Sequence, residues 1–219
     1  IDIGAVSTRP GAAVVEESEE LERVIPALKT LVREFPDAIF SVDTFRPEVA
    51  RTAVDNGAGM INDIYGGRFG SGMLDAVATL FVPYVLMHMK GKPETMQDNP
   101  VYSDVVAEVT YFFEQQLRQC REKGIRQVII DPGFGFGKQV EHNFTLLSHL
   151  DELRSLGAPV LAGLSRKSMI SRVLQTTPEN AGNGTTVLNT IALLKGADIL
   201  RVHDVKEAAE AIRLVMMVE

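Results

Sequence analysis

The sequence predicts an α/β fold with parallel strands, specifically a (β/α)8 barrel whose first βα pair is missing from the chain. Three observations carry that prediction. Seven short apolar runs rich in β-branched residues each precede a stretch of helical periodicity, the pattern of a parallel sheet covered by helices. No low-complexity stretch or composition shift marks a linker, so residues 1–219 read as one domain, incomplete at its N-terminal end. A barrel of eight such pairs takes about 250 residues. This chain has 219 and opens on Ile1, Asp2 and Ile3, which look like the last residues of a strand. The other arrangement is a seven-stranded open sheet.

The elements follow in order. After the partial strand comes the loop GAVSTRPGAA, then a helix from Glu17 to about Phe35. Its apolar positions (Leu21, Val24, Ile25, Leu28, Leu31, Val32) recur at helical spacing, with acidic residues in the first turn where the helix dipole favours them. Strand 38–43 leads to a helix opened by Pro47, which suits a first turn. Strand 60–64, helix 73–80 and strand 84–88 follow. A connection through Gly91, Pro93 and Pro100 reaches a helix capped by Ser103 and stopped at Gly124. Strand 128–131 comes next, then a helix over 143–156, strand 159–164, a helix after Lys167, a helix over 185–195 and strand 198–202. Asp204 and Glu207 resemble a capping box for the last helix.

Composition narrows the function classes. Hydrophobic content of 45% suffices for a large core, and a net charge of −7 argues against a nucleic-acid binder while allowing a local basic pocket. One cysteine excludes an internal disulfide. Cys120 shares a helical stripe with Val106, Val109, Phe113 and Leu117 and reads as core. No apolar run approaches the ~18 residues of a membrane helix and no signal peptide is evident, so a cytoplasmic setting without membrane contact is expected.

The most informative stretch is VIIDPGFGFGK at residues 128–138. A continuous β-branched run delivers Asp131 into a turn whose glycines bring backbone close to a flat molecule. The spacing GxGxG is not the dinucleotide GxGxxG. Gln139 after Lys138 also excludes a Walker loop. By spacing alone, a structural βα turn accounts for the glycines equally well.

Polar residues fall at the other strand ends too: Asp43, Asn62 with Asp63, His88, residues 165–168, and Arg201 with His203, while Ser7, Thr8 and Arg9 follow the partial strand. In a barrel these ends share the face that carries active sites. Asp43 and Asn62 also read as helix caps, and His88 as a packing residue. Arg201 and His203 alternate on a strand and so share a side, suited to an anion. No zinc-type spacing occurs, no GxSxG elbow is present, and Ser165 has no His base nearby in sequence. The inventory suits a flat, nitrogen-rich ring bearing phosphate: Asp43, Asn62 and Asp131 for the ring edge, Lys167, Arg201 and His203 for phosphate oxygens or a ring carbonyl.

Seven motifs in order, STRPGA (7–12), DTFRPEVA (43–50), INDIYGG (61–67), LMHMKGKPETMQ (86–97), DPGFGFGK (131–138), LSRKSMI (164–170) and RVHDV (201–205), together resemble the dihydropteroate synthase family of pterin-binding barrels. The resemblance implies condensation of 6-hydroxymethyl-7,8-dihydropterin diphosphate with 4-aminobenzoate in folate biosynthesis, by dissociative substitution, with Mg2+ on the diphosphate and sulfonamides as inhibitors. It assigns Asp43, Asn62, Met87, Asp131, Gly163 and Lys167 to the pterin, with Asp43 and Lys167 catalytic. Arg201 and His203 go to the diphosphate, and Thr8, Arg9, Pro10, Phe136, Lys167 and Ser168 to 4-aminobenzoate. It also implies a homodimer. The family's magnesium-ligating Asn lies on a first loop that this chain lacks, so no metal ligand is assigned within it.

The loop reads GAVSTRPG where the family more often has GGESTRPG. The competing reading is a pterin-binding methyltransferase module serving a corrinoid partner, which should lack the STRP loop and the SRKS run. A non-catalytic barrel serving only as a dimer partner is a further alternative, disfavoured by Asp131, Lys167, Arg201 and His203.

Overall fold

The computed structural model describes residues 1–7, 15–70, 72–91 and 95–218. Among them are the seven expected strands, β1 (Asp2–Gly4), β2 (Ser41–Asp43), β3 (Met60–Asp63), β4 (Tyr84–Met87), β5 (Val128–Asp131), β6 (Leu161–Ala162) and β7 (Ile199–Leu200). The helices are α1 (Glu17–Glu34), α2 (Pro47–Asp55), α3 (Met73–Leu80), α4 (Val105–Glu122), α5 (Val140–Ser148), α6 (Ser168–Leu174), α7 (Gly182–Leu194) and α8 (Val205–Val215). The chain forms two compact units, residues 1–89 with 114–129 and residues 90–113 with 130–219. No helix among the described residues is long and apolar enough to cross a membrane.

In the first unit β1, β2, β3 and β4 pair in parallel, each with the next. Both faces of these strands are covered: Val42, Ile61, Tyr84 and Leu86 are buried on one, Val85 and Met87 on the other. Helix α1 buries Val24 and Leu28, and also Glu20, whose carboxylate is ion-paired with Arg46. Pro47 occupies the first turn of α2 as expected. The turn after α2 uses Gly57 at φ +99°, where a Cβ would lie 3.0 Å from both Val32 methyls.

In the second unit Ile130 bridges Val160 in parallel, and β6 pairs with β7 through Leu161 with Ile199 and Ala162 with Leu200. The expected strands 159–164 and 198–202 contract to these two-residue cores. At the near end the Asp198 carboxylate takes the Val160 N–H at 2.8 Å, a side chain replacing the backbone ladder.

Three further boundaries differ from expectation. Asp104, not Ser103, caps α4, its Oδ1 accepting from Val106 N at 2.9 Å and Ala107 N at 3.0 Å. The single helix expected over 143–156 is α5 followed by a 3-10 stretch, Leu150–Leu156, divided at His149. Asp204 stands at the start of α8 without capping it. Its carboxylate is engaged by the Arg166 guanidinium at 2.7 and 3.0 Å, a bidentate bond stronger than a cap. Cys120 is buried on α4 with Val109 and Phe113, as expected, and burial pushes its thiol up to about 12.

Candidate active site

The first unit supplies a row of strand-end residues. Register sets Gly4 beside Asp43 and Asp43 beside Asn62, and residues abreast in a parallel ladder point to the same face. Asn62 lies abreast of Val85, so Met87, two positions on, shares that face. Gly4 has no side chain where a Cβ would sit 3.1 Å from Asp43 Cβ, which gives the carboxylate room. Asn62 is buried and donates Nδ2–H to Asp2 Oδ2 at 3.1 Å. Asp43, Asn62 and Met87 are therefore brought onto one side of one sheet.

Asp63 points the other way and does different work. Its Oδ1 accepts from Tyr65 N at 2.8 Å, and its Oδ2 accepts from Gly67 N and from the Tyr84 hydroxyl, both at 2.7 Å. Burial raises its pKa against those hydrogen bonds, and Tyr84 is pushed well above its usual value by burial and by the Asp63 charge. This carboxylate organises the YGG turn.

The second unit holds a denser set. Asp131 is buried at the end of β5, and the Gly133 N–H donates to its Oδ1 at 2.7 Å. Immediately after β6, Gly163 has no side chain, and the position its Cβ would take is 3.5 Å from Arg201 Nε and 3.9 Å from Asp131 Oδ2. A larger residue would occupy the space between guanidinium and carboxylate. Lys167, at the start of α6, donates to Phe134 O, and its Nζ lies 4.8 Å from the centre of the Phe136 ring. Burial lowers the Lys167 pKa to about 8, with Arg201 adding to the fall and Asp131 opposing it. Asp131, Gly163, Lys167, Arg201 and Phe136 are thus neighbours, and Ser168 opens α6 with its side chain exposed. Thr8, Arg9 and Pro10 lie outside the described residues.

The two cationic loops are laced together within this unit. Ser165 Oγ accepts from the His203 backbone N–H at 3.2 Å and also shares a hydrogen bond with His203 Nδ1, 2.8 Å away. Sequence proximity gave Ser165 no histidine partner, and the fold brings one from 38 residues away. The pair holds the His203 ring in place against the Ser165 loop. Arg166, at φ +54°, clamps Asp204 and donates to Glu179 O at 3.0 Å.

Two residues that sequence reasoning left without a role support the glycine turn. Lys138 is buried and donates to Gly133 O and Phe136 O. Asn143 accepts from Gly135 N at 2.7 Å. Among the described residues no three His, Cys, Asp or Glu side chains gather to hold a metal ion.

The family model described as "Pterin binding enzyme" matches residues 1–203. The chain is 46% identical to the dihydropteroate synthase of Escherichia coli K12 over 217 residues, 98% of this chain and 76% of that protein. A structure of the Yersinia pestis dihydropteroate synthase with a sulfonamide drug matches with TM-score 0.95 at 43% identity, covering 99% of this chain and 79% of that one. A structure of the Xanthomonas albilineans dihydropteroate synthase with 4-aminobenzoic acid matches with TM-score 0.92 at 48% identity, covering 99% and 78%. The fold class is the one these structures have, an α/β barrel of the (β/α)8 type.

Proposed function

The chain belongs to the dihydropteroate synthase family of pterin binding enzymes, and on that premise we propose how its residues carry the family's reaction. The reaction joins 6-hydroxymethyl-7,8-dihydropterin diphosphate to 4-aminobenzoate, giving 7,8-dihydropteroate and pyrophosphate. The observation that carries the reading is Asp131 and Arg201 at side-chain-free Gly163, with Lys167 close enough to feel both charges and set over the Phe136 ring.

Asp131, oriented by the Gly133 N–H on its Oδ1, accepts from the pterin amino group and ring N–H, and Lys167 donates to the ring. Gly163 leaves a slot that fits a flat ring. Arg201 and His203 bind the diphosphate and stabilise the charge that grows as the methylene C–O bond breaks, its electron pair leaving with the phosphate. The family resemblance assigns the Asp43 carboxylate of the first unit to the methylene cation, and Asn62 and Met87 to further pterin contacts. The arylamine nitrogen then forms the C–N bond and releases its proton to pyrophosphate or water. Phe136, Lys167, Ser168 and the Thr8, Arg9, Pro10 segment hold 4-aminobenzoate, and a sulfonamide, with the same arylamine, competes there.

Magnesium belongs to this reading as the counter-ion of the diphosphate. The described residues do not form a protein cage for it. A single pterin-binding domain, a homodimer and a cytoplasmic setting are part of the same reading. The family match across residues of both compact units supports the first. The test is pyrophosphate release from the dihydropterin diphosphate and magnesium, with and without 4-aminobenzoate. Release that requires 4-aminobenzoate is expected. Equal release without it, or none in either case, would overturn the assignment.

A further inference from the structure

Lys138 is a buried cation that the reaction as assigned does not use. It is 3% exposed, and its Nζ donates to Gly133 O at 2.9 Å and to Phe136 O at 3.1 Å. Gly133 O also accepts the Phe136 N–H at 3.0 Å, so this carbonyl closes the turn from two directions. Burying an ammonium costs several kcal/mol, about as much as good hydrogen bonds return, so the residue is poor as a source of stability alone. What it holds is the segment on which the site lysine rests. Phe134 O accepts from Lys167, the Phe136 ring lies 4.8 Å from Lys167 Nζ, and Gly133 N–H fixes Asp131.

We infer that Lys138 is a positioning residue for the second substrate: by fixing the peptide planes of residues 133–136 it sets Phe136 and the carbonyl perch of Lys167 against 4-aminobenzoate. The inference rests on the reading under Proposed function. Asn143 and Gln97 bond Gly135 independently, at 2.7 Å to its N–H and 2.5 Å to its carbonyl, so losing Lys138 loosens the turn and leaves its neighbours anchored.

The experiment compares Lys138→Met, which keeps the apolar stem and removes every donor, with Lys138→Arg, which keeps a cation but spreads its donors over a planar fork. Partial misfolding lowers apparent kcat and leaves KM unchanged, whereas displacement of Phe136 and Lys167 raises the KM for 4-aminobenzoate. For Lys138→Met the expected result is a KM for 4-aminobenzoate raised about tenfold and kcat/KM lowered about 100-fold, the scale of an ångström's misplacement. Lys138→Arg falls between the two. In the ligand-free protein the Phe136 amide exchanges about tenfold faster in Lys138→Met, a local opening rather than global unfolding. A parental KM, whatever the kcat, or unchanged exchange at Phe136 overturns the inference. If Lys138→Met does not fold, the same two readings on Lys138→Arg decide it. Should the parent protein release no pyrophosphate at all, the reading of the reaction fails, while amide exchange still decides the role of Lys138.

Discussion

The ends of β3 and β5 look alike in sequence and differ in what they do. INDIYGG and IIDPGFGFG both run an apolar strand into a carboxylate and then into glycines, and Asp63 and Asp131 are both buried. Asp63 turns both oxygens back onto its own neighbourhood, with Tyr65 N, Gly67 N and the Tyr84 hydroxyl as donors. Asp131 takes Gly133 N on Oδ1, and its Oδ2 faces the side-chain-free position of Gly163 beside Arg201. A buried carboxylate whose oxygens are filled by local donors is a structural device. One held through a single oxygen next to a slot and a cation is a recognition device.

The largest expected effect sharpens the recognition half. Lys167→Ala removes the cation next to Asp131 and should lower kcat/KM by about 1,000-fold, the scale of losing a preorganised charge, while the thermal midpoint stays within a few degrees. A variant with near-normal turnover would detach the second unit's cluster from the chemistry.

Next comes the turn itself. Gly137 has φ +61°, and a Cβ there would lie 2.2 Å from Lys90 O, a backbone atom that cannot step aside. Gly137→Ala should therefore destabilise by about 2–4 kcal/mol through left-handed strain and overpacking, seen as a lower urea midpoint. Gly70, at φ +60° with nothing near its Cβ position, should tolerate alanine better, at about 1 kcal/mol. Equal losses would mean that the contact with Lys90 is immaterial.

A smaller effect is a pH dependence. The folded Lys167 pKa of about 8 lies below its ordinary 10.5. Between those values the unfolded chain binds more protons, so the cost of holding Lys167 charged applies in full below about 8 and is relieved as pH rises towards 10.5. Function runs the opposite way if protonated Lys167 contacts substrate: kcat/KM should fall on a basic limb near 8. Lys167→Arg should remove that limb at a reduced rate. The smallest effect concerns Cys120. With its thiol pushed up to about 12, it should resist alkylation at neutral pH, and Cys120→Ala should leave turnover unchanged.

Much of this architecture was legible from residue types. Strand count, order and the parallel arrangement followed from β-branched runs alternating with helical periodicity, because burial on two faces leaves that signature. Boundaries failed where a side chain took a backbone group's usual partner, as Asp198 does at Val160, or where a stronger partner took the capping group, as Arg166 does with Asp204. Site residues were legible where chemistry concentrates at strand ends. The pairs that orient them were not, since Ser165 with His203 and Arg166 with Asp204 are each separated by 38 positions. Nor could spacing tell Asp63 from Asp131, because the difference lies in which donors the fold turns toward each.

The most direct test of that distinction is pterin binding, measured by calorimetry, for Asp131→Asn and Asp63→Asn. Asp131→Asn should fold normally and lose about 100-fold in affinity, since a ring built of donors meets an amide where it needs two acceptors. Asp63→Asn should lose about 1–3 kcal/mol of stability by mispairing its three donors, with the folded fraction binding at parental affinity. The reverse outcome, with affinity lost at Asp63 and kept at Asp131, would contradict the account.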